Sequence, residues 1–237
     1  MHRIILAVLL AVCSGQSLVA RDISQKRDLA TIFGGVGFVT MNAYKDNAAA
    51  RNGVKIGGMA GFGYEHRFKK VAAIEINLMY INKGVQQNWK DAATRGYIRS
   101  NFHSIEFPIL VKFYIGKRKL FNIYAGGYGS YAVNVQIKTK VSSSVTGDVL
   151  IDDVKNNALS NDKNPKDIND KRYFRAFDAG VCGGFEFVSK SGFGAGARLD
   201  KGLLDFTNPN FVSSVPGIPD NKWITHTSVM FYALFKI

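Results

Sequence analysis

The sequence predicts an all-β fold: an up-and-down antiparallel transmembrane β-barrel of about eight strands, preceded by a signal peptide. Three observations predict it. The chain opens like an export leader, its later apolar stretches alternate with period two, and the connections between those stretches alternate between long and short.

The leader comes first. Met1-His2-Arg3 is a short basic start, Ile4 to Val12 is an unbroken apolar run, and small and polar residues follow up to Ala20. That order is a secretory signal peptide. The run is far shorter than the roughly 20 apolar residues a membrane-spanning helix needs. Cleavage is expected after Ala20, with Leu18 at the −3 position, or alternatively after Gly15. Cys13 follows Leu10-Ala11-Val12, the outline of a lipoprotein box, but Val12 is larger than the small residue such a box carries. The expected organisation is therefore a signal peptide over 1–20, an N-terminal periplasmic segment over 21–29 and the barrel over 30–237.

Composition narrows the class. Past Ala20 only Cys182 remains, so no internal disulfide can form. A closed barrel in lipid supplies stability in another way, by pairing every backbone group. The formal charge is +13, and +12 without Arg3 of the leader. Export argues against nucleic acid as the partner, and anionic lipid headgroups suit a basic exported protein better.

Eight stretches follow, near 30–42, 54–67, 71–83, 102–115, 120–138, 173–188, 192–205 and 224–237. Each can supply the roughly 9–11 residues of a tilted membrane strand. The third sets Ala72, Ile74, Ile76, Leu78 and Tyr80 against Glu75, Asn77 and Lys83. The fourth sets Ile105, Phe107, Ile109, Val111, Phe113 and Ile115 against Glu106, Lys112 and Tyr114, with Pro108 and Leu110. The sixth sets Phe177, Ala179, Val181, Phe185 and Phe187 against Asp178, Cys182 and Glu186. The last sets Val229, Phe231, Ala233, Phe235 and Ile237 against His226, Ser228, Tyr232 and Lys236. This is the strand period. Glycines leave the facing of the first two stretches open.

Connections near 68–70, 116–119 and 189–191 are tight, whereas those near 43–53, 84–101, 139–172 and 206–223 are long. Short periplasmic turns and long outer loops are what an even-stranded outer-membrane barrel produces. The longest, 139–172, is polar and reads as a mobile outer loop. A soluble periplasmic barrel, with the faces reversed, is the alternative.

Lipid requires the polar face to point inward. The expected lumen set is Glu75, Glu106, Lys112, Asp178, Glu186, Arg198 and Asp200, acids and bases that can pair across the barrel. Gly180, Gly184 and Gly196 would make room for the long charged chains. Tyr80, Phe113, Phe121, Tyr131, Phe187 and Phe235 fit interfacial girdles.

No catalytic site is expected. Gly127-Tyr128-Gly129-Ser130-Tyr131-Ala132 matches the loose dinucleotide fingerprint but lies inside an alternating strand rather than before a helix. His2, His66, His103 and His226 are scattered, with no metal-ligand spacing, and no cofactor is expected. His226-Thr227-Ser228 places an imidazole and a hydroxyl on one strand face. Outer-membrane lipid A deacylases carry a similar His-x-Ser, facing lipid. Here Val229, Phe231 and Phe235 face outward, which turns His226 and Ser228 inward.

Ile74-Glu75-Ile76-Asn77-Leu78-Met79-Tyr80-Ile81-Asn82-Lys83-Gly84 and Ile105-Glu106-Phe107-Pro108-Ile109-Leu110-Val111-Lys112-Phe113 carry a family resemblance. So do Asp178-Ala179-Gly180 through Gly184-Phe185-Glu186, and Arg198 with Gly202-Leu203. The chain resembles the PorT-like outer-membrane β-barrel proteins of the Bacteroidetes. The resemblance implies an outer-membrane barrel of about eight strands, and its name-giving member takes part in protein secretion across that membrane. One departure is the terminus: Ile237 is last, where bacterial barrels commonly end on an aromatic residue.

Together these point to the outer membrane and to a structural, interaction or secretion-accessory role. The expected partners are outer-membrane lipid, the barrel assembly machinery and secretion-system proteins, with no nucleic acid. A surface adhesin or ligand-binding barrel acting through the outer loops is one alternative. A lipid A-modifying hydrolase is another.

Overall fold

The computed structural model describes residues 23, 26–42, 50–69, 71–90, 92–116, 119–155, 174–205 and 225–237. The expected signal peptide over 1–20 and the connection 206–223 lie outside the described residues.

Ten strands are present: β1 Asp28–Asn42, β2 Ala50–Gly53, β3 Lys55–Lys69, β4 Ala72–Lys90, β5 Thr94–Ile115, β6 Phe121–Ser143, β7 Val149–Lys155, β8 Phe177–Val188, β9 Phe193–Gly202 and β10 Thr225–Lys236. Eight close a ring in the order β4-β3-β1-β10-β9-β8-β6-β5, with β5 returning to β4. Every pairing is antiparallel, and β1 meets β10 from Thr31↔Lys236 to Asn42↔Thr225. First and last strands thus pair, and the ring has no open edge through the membrane. The eight stretches read from alternation are these eight strands.

Facing follows parity. On β5, Phe107 is 54 % and Ile109 57 % exposed, whereas Leu110 is 3 % and Lys112 0 %. The apolar side points out and the charged side in. Such an exterior is stable only against hydrocarbon, so the soluble alternative with reversed faces is overturned. The Gly-rich strands obey the same rule: Phe62 and Tyr64 point out, Glu65 and Arg67 in.

Tight turns join β3 to β4, β5 to β6 and β8 to β9, all at the end where β1 begins and β10 finishes. Gly116 at φ 83° and Gly192 at φ 95° occupy the left-handed region these turns require. Short turns mark the periplasmic end. The N-terminal segment is shorter than expected, because β1 already begins at Asp28. Ile23 is buried at this mouth. Its N–H donates to the Lys190 carbonyl at 3.3 Å, and its own carbonyl accepts from Arg67 Nη1 at 2.9 Å.

The outer end corrects the sequence reading. Residues 84–101 are not a loop: β4 runs to Lys90 and β5 starts at Thr94, paired from Gly84↔Asn101 up to Lys90↔Arg95. The segment 139–172 is likewise strand at its start, since β6 continues to Ser143 and β7 pairs back onto it. Its remainder, 156–172, lies outside the described residues. Residues 50–53 form β2, paired with β4. The outer parts of β2, β4, β5, β6 and β7 thereby form one five-stranded wall on one side of the mouth. With 22 residues in β5 and 23 in β6, roughly ten in each, or about 30 Å of strand, exceed the membrane requirement. Alternation could not reveal this extension. Above the hydrocarbon neither face is apolar, so the period-two signal disappears while the backbone pairing persists.

Val111→Arg should reduce the fraction of assembled barrel sharply, since a cation on the lipid face near mid-strand costs about 2–4 kcal/mol. Val111→Leu should not. Comparing unboiled and boiled samples on a gel reads the assembled fraction, and equal assembly of both variants would contradict the facing.

Candidate functional site

Strand parity delivers the inward side chains, and closure at eight strands forces them together. Eight strands leave an interior just wide enough to be filled by side chains. All seven expected lumen residues are buried inside it: Glu75, Glu106, Lys112, Asp178, Glu186, Arg198 and Asp200. They separate into two layers.

The periplasmic layer holds three acids and three bases. Lys112 Nζ lies 2.6 Å from Glu75 Oε2 and 2.8 Å from Glu186 Oε2. Lys236 Nζ lies 2.6 Å from Glu65 Oε2 and 3.1 Å from Glu186 Oε2. Arg67 Nε donates to Glu65 Oε1 at 2.8 Å, and Arg67 Nη2 to Tyr114 Oη at 3.1 Å. Tyr114 in turn donates to Glu65. Asn77 Nδ2 donates to Glu75, and Asn122 Nδ2 and Tyr232 Oη donate to Glu186. Formal charges balance, and each carboxylate meets at least one cation. That is the condition under which buried charge is tolerated.

The outer layer is built around Glu106 and Asp200. Arg198 reaches both, at 2.5 Å from Glu106 Oε1 and 2.5 Å from Asp200 Oδ1. Lys83 Nζ lies 2.6 Å from Glu106 Oε2 and 2.9 Å from His226 Nε2, and sits 4.5 Å over the Tyr128 ring. Tyr128 Oη donates to Asp178 Oδ2 at 3.1 Å and lies 3.0 Å from His226 Nε2. These bonds cross the lumen, because Arg198 on β9 and Glu106 on β5 are three strands apart in the ring.

Four charged members escaped the sequence reading of the site: Glu65, Arg67, Lys83 and Lys236. Lys83 and Lys236 already stood on polar faces there, so parity alone would have found them. Glu65 and Arg67 were hidden by the glycines of β3, although Phe62, Tyr64 and Phe68 on the opposite parity were the available signal.

The inward glycines serve tyrosines rather than the charged chains. A Cβ at Gly180 would lie 2.4 Å from Tyr128 Oη, at Gly184 2.6 Å from Tyr124 Oη, and at Gly196 2.5 Å from Tyr232 Cζ. Real Cβ atoms do not approach so closely, so the phenols occupy the space those side chains would need. Tyr124 and Tyr232 meet oxygen to oxygen at 3.0 Å. Outside, Tyr80, Phe113, Tyr131 and Phe187 are exposed, whereas Phe121 and Phe235 are half-buried beside Phe185 and Phe193.

His226 and Ser228 are 0 % and 1 % exposed and face the lumen, away from lipid. Ser228 Oγ donates to Asp200 Oδ2 at 2.9 Å. His226 Nδ1 stands 3.4 Å from Asp178 Oδ2. Each member is thus engaged with the network. Among the described residues no group of His, Cys, Asp and Glu is arranged to hold a metal.

Lys112→Met should destabilise the barrel by about 3–5 kcal/mol, the usual consequence of leaving a buried charge without its partner. Glu75→Gln added to it should recover part of that loss. Urea unfolding in detergent micelles measures both, and a single variant as stable as wild type would remove the network from the account of stability.

No curated protein matches the sequence. The chain is similar in structure to Ail, the attachment invasion locus protein of Yersinia pestis, solved with the heparin analogue sucrose octasulfate: 11 % identity, TM-score 0.44, covering 90 % of this chain and 100 % of that one. It is similar to Neisserial surface protein A at 11 % identity and TM-score 0.43, covering 88 % and 97 %. It is similar to OprG of Pseudomonas aeruginosa at 12 % identity and TM-score 0.39, covering 89 % and 95 %. The family described as outer membrane protein beta-barrel domain matches residues 23–208. With most of its length matched, this chain belongs to the outer membrane protein beta-barrel domain family and is an integral protein of the outer membrane.

Proposed function

We propose that this protein is a non-conducting barrel whose task is interaction, carried by the strand wall at its outer mouth. The observation behind the reading is the pairing of a filled lumen with a five-stranded wall. Charged layers joined at 2.5–3.1 Å across the barrel leave the interior to side chains rather than to solute. The wall repeats what rigid scaffolds do elsewhere, which is to hold a recognition surface clear of the framework. Here that surface is itself paired β-structure, so a partner meets it with little ordering to be done.

The reading contains no catalytic step. A hydrolase acting on lipid A needs its nucleophile open to the membrane, and Ser228 is bonded to Asp200 inside. A secretion-accessory role is the second reading. It is favoured by the Ile74–Gly84 and Ile105–Phe113 segments, which resemble PorT-like proteins, and the wall would then receive other members of the secretion system.

Purified protein in a planar bilayer should give no stable conductance steps. Discrete openings of the wild type would overturn the closed-lumen reading. Replacing Val85–Ser100 by an Asn-Gly turn joins Gly84 to Asn101, residues already paired across the hairpin. The shortened barrel should keep its heat-dependent shift on a gel yet fail to complement the null strain. Full complementation would show that the wall is dispensable.

A further inference from the structure

The outward face of the wall carries a charge pattern that the barrel does not answer. On β5 the residues that share parity with Phe107 and Ile109 continue upward as Arg99, Tyr97 and Arg95. Their register partners lie on the same face. Arg99 stands directly opposite Lys138 on β6, and Tyr97 opposite Lys140. Arg95 stands directly opposite Lys90 on β4. Lys55 joins them from β3, donating to Asn82 Oδ1 at 2.8 Å, within electrostatic reach of Arg99.

Two of these arrangements, Arg99–Lys138 and Lys90–Arg95, are like charges directly across a strand pair, which destabilises a sheet. Compensation inside the protein is thin. Arg99 donates to the Gln86 amide oxygen at 3.0 and 2.6 Å, a neutral partner. Among the described residues the one acid within ion-pair distance of the six cations is Asp152, 4.0 Å from Lys138. Asp152 also stands directly opposite Lys140, so one acid answers a face of six cations, and the excess charge implies an anion supplied from outside.

Its position identifies the source. This is the strand face that, one turn of the sheet lower, touches hydrocarbon. Tyr80, whose hydroxyl lies 2.5 Å from His103 Nδ1, and Tyr131 mark the upper edge of the apolar band. Lys55, then Arg99 and Lys138, then Lys140, Lys90 and Arg95 rise above that edge in succession. What stands beside a barrel at that height is the headgroup layer of the outer leaflet. Arginine and lysine recognise phosphate by charge-assisted hydrogen bonds, arginine in bidentate fashion.

We propose that Lys55, Arg99 and Lys138, extended by Lys140, Lys90 and Arg95, form a binding site for the phosphate groups of the phosphorylated glycolipid in the outer leaflet. The site faces the membrane plane, and so leaves the mouth-facing side of the wall for a protein or other partner. It holds whichever partner the wall serves. Lipid docked here screens the like-charge pairs and holds the wall upright against the leaflet.

The test uses the full-length barrel refolded in uncharged detergent. It is titrated with diphosphorylated lipid A and with the same lipid after phosphatase treatment, and retained lipid is counted by native mass spectrometry. Lipid A should be retained and its dephosphorylated form lost. The double variant Arg99→Gln/Lys138→Gln should lower retention by roughly 10- to 30-fold, as two membrane-surface cations contribute. Lys69→Gln at the opposite rim should leave it unchanged. The heat-dependent gel shift checks that each variant is folded, and Lys90→Gln/Arg95→Gln carries the same comparison should the first pair fail to assemble. Equal retention of the dephosphorylated lipid, or undiminished retention by a folded double variant, overturns the proposal. So does binding of a soluble polysulfate without retention of lipid A, which would make the occupant a free polyanion. None of these readings depends on complementation of the null strain, so the site and the interaction role fail separately.

Discussion

A lysine with its ammonium held between two carboxylates, at zero exposure, is the interaction on which this molecule depends. Lys112 lies 2.6 Å from Glu75 and 2.8 Å from Glu186. Lipid outside forces charge inward, and eight strands give that charge almost no water. Each carboxylate of the periplasmic layer therefore meets a base from another strand. The pairing that results joins β3, β4, β5, β8 and β10 through their side chains as well as through their backbone ladders. The same pairing sets three acids and three bases side by side across the interior.

Aromatic residues complete the filling. Tyr124, Tyr128 and Tyr232 lie against Gly184, Gly180 and Gly196, each phenol occupying the volume where a side chain on the neighbouring strand would stand. Their hydroxyls join the charged layers they adjoin, Tyr232 between Glu186 and Tyr124, and Tyr128 between Asp178 and His226. The periplasmic network runs from Arg67, which holds the Ile23 carbonyl, up to Tyr124, whose hydroxyl donates to the Ala197 carbonyl beside Arg198. At the outer mouth the described residues form the five-stranded wall. Its two faces differ, one continuing the lipid-facing side of the strands and dense in cations, the other turned toward the mouth.

Much of this was legible in the residues. The alternation of Ile105, Phe107, Ile109, Val111 and Phe113 with Glu106, Lys112 and Tyr114 named both the strand and its two faces, because hydrocarbon on one side sorts side chains by polarity. The same sorting turns His226 and Ser228 inward. Where the sorting pressure ends, the reading ended too. Val85 to Ser100 lies above the lipid, both of its faces are polar or mixed, and it read as a loop. Glu65 and Arg67 were obscured for a different reason: Gly57, Gly58, Gly61 and Gly63 carry no side chain from which to read a face.

By itself, then, the sequence determined the outer-membrane barrel, its eight ring strands, the facing of four of them and the inward placement of seven ionisable groups. Each of these follows from local patterns that one solvent boundary imposes. Only the tertiary structure decided who pairs with whom. The contacts Arg198–Glu106 and Lys236–Glu65 join residues 92 and 171 positions apart. Ring closure brings them together, and no local pattern encodes the angle at which a barrel closes. The wall belongs to the same class. Its strands are held by backbone hydrogen bonds to neighbours, which are indifferent to side-chain polarity and so leave no periodic trace in the chain.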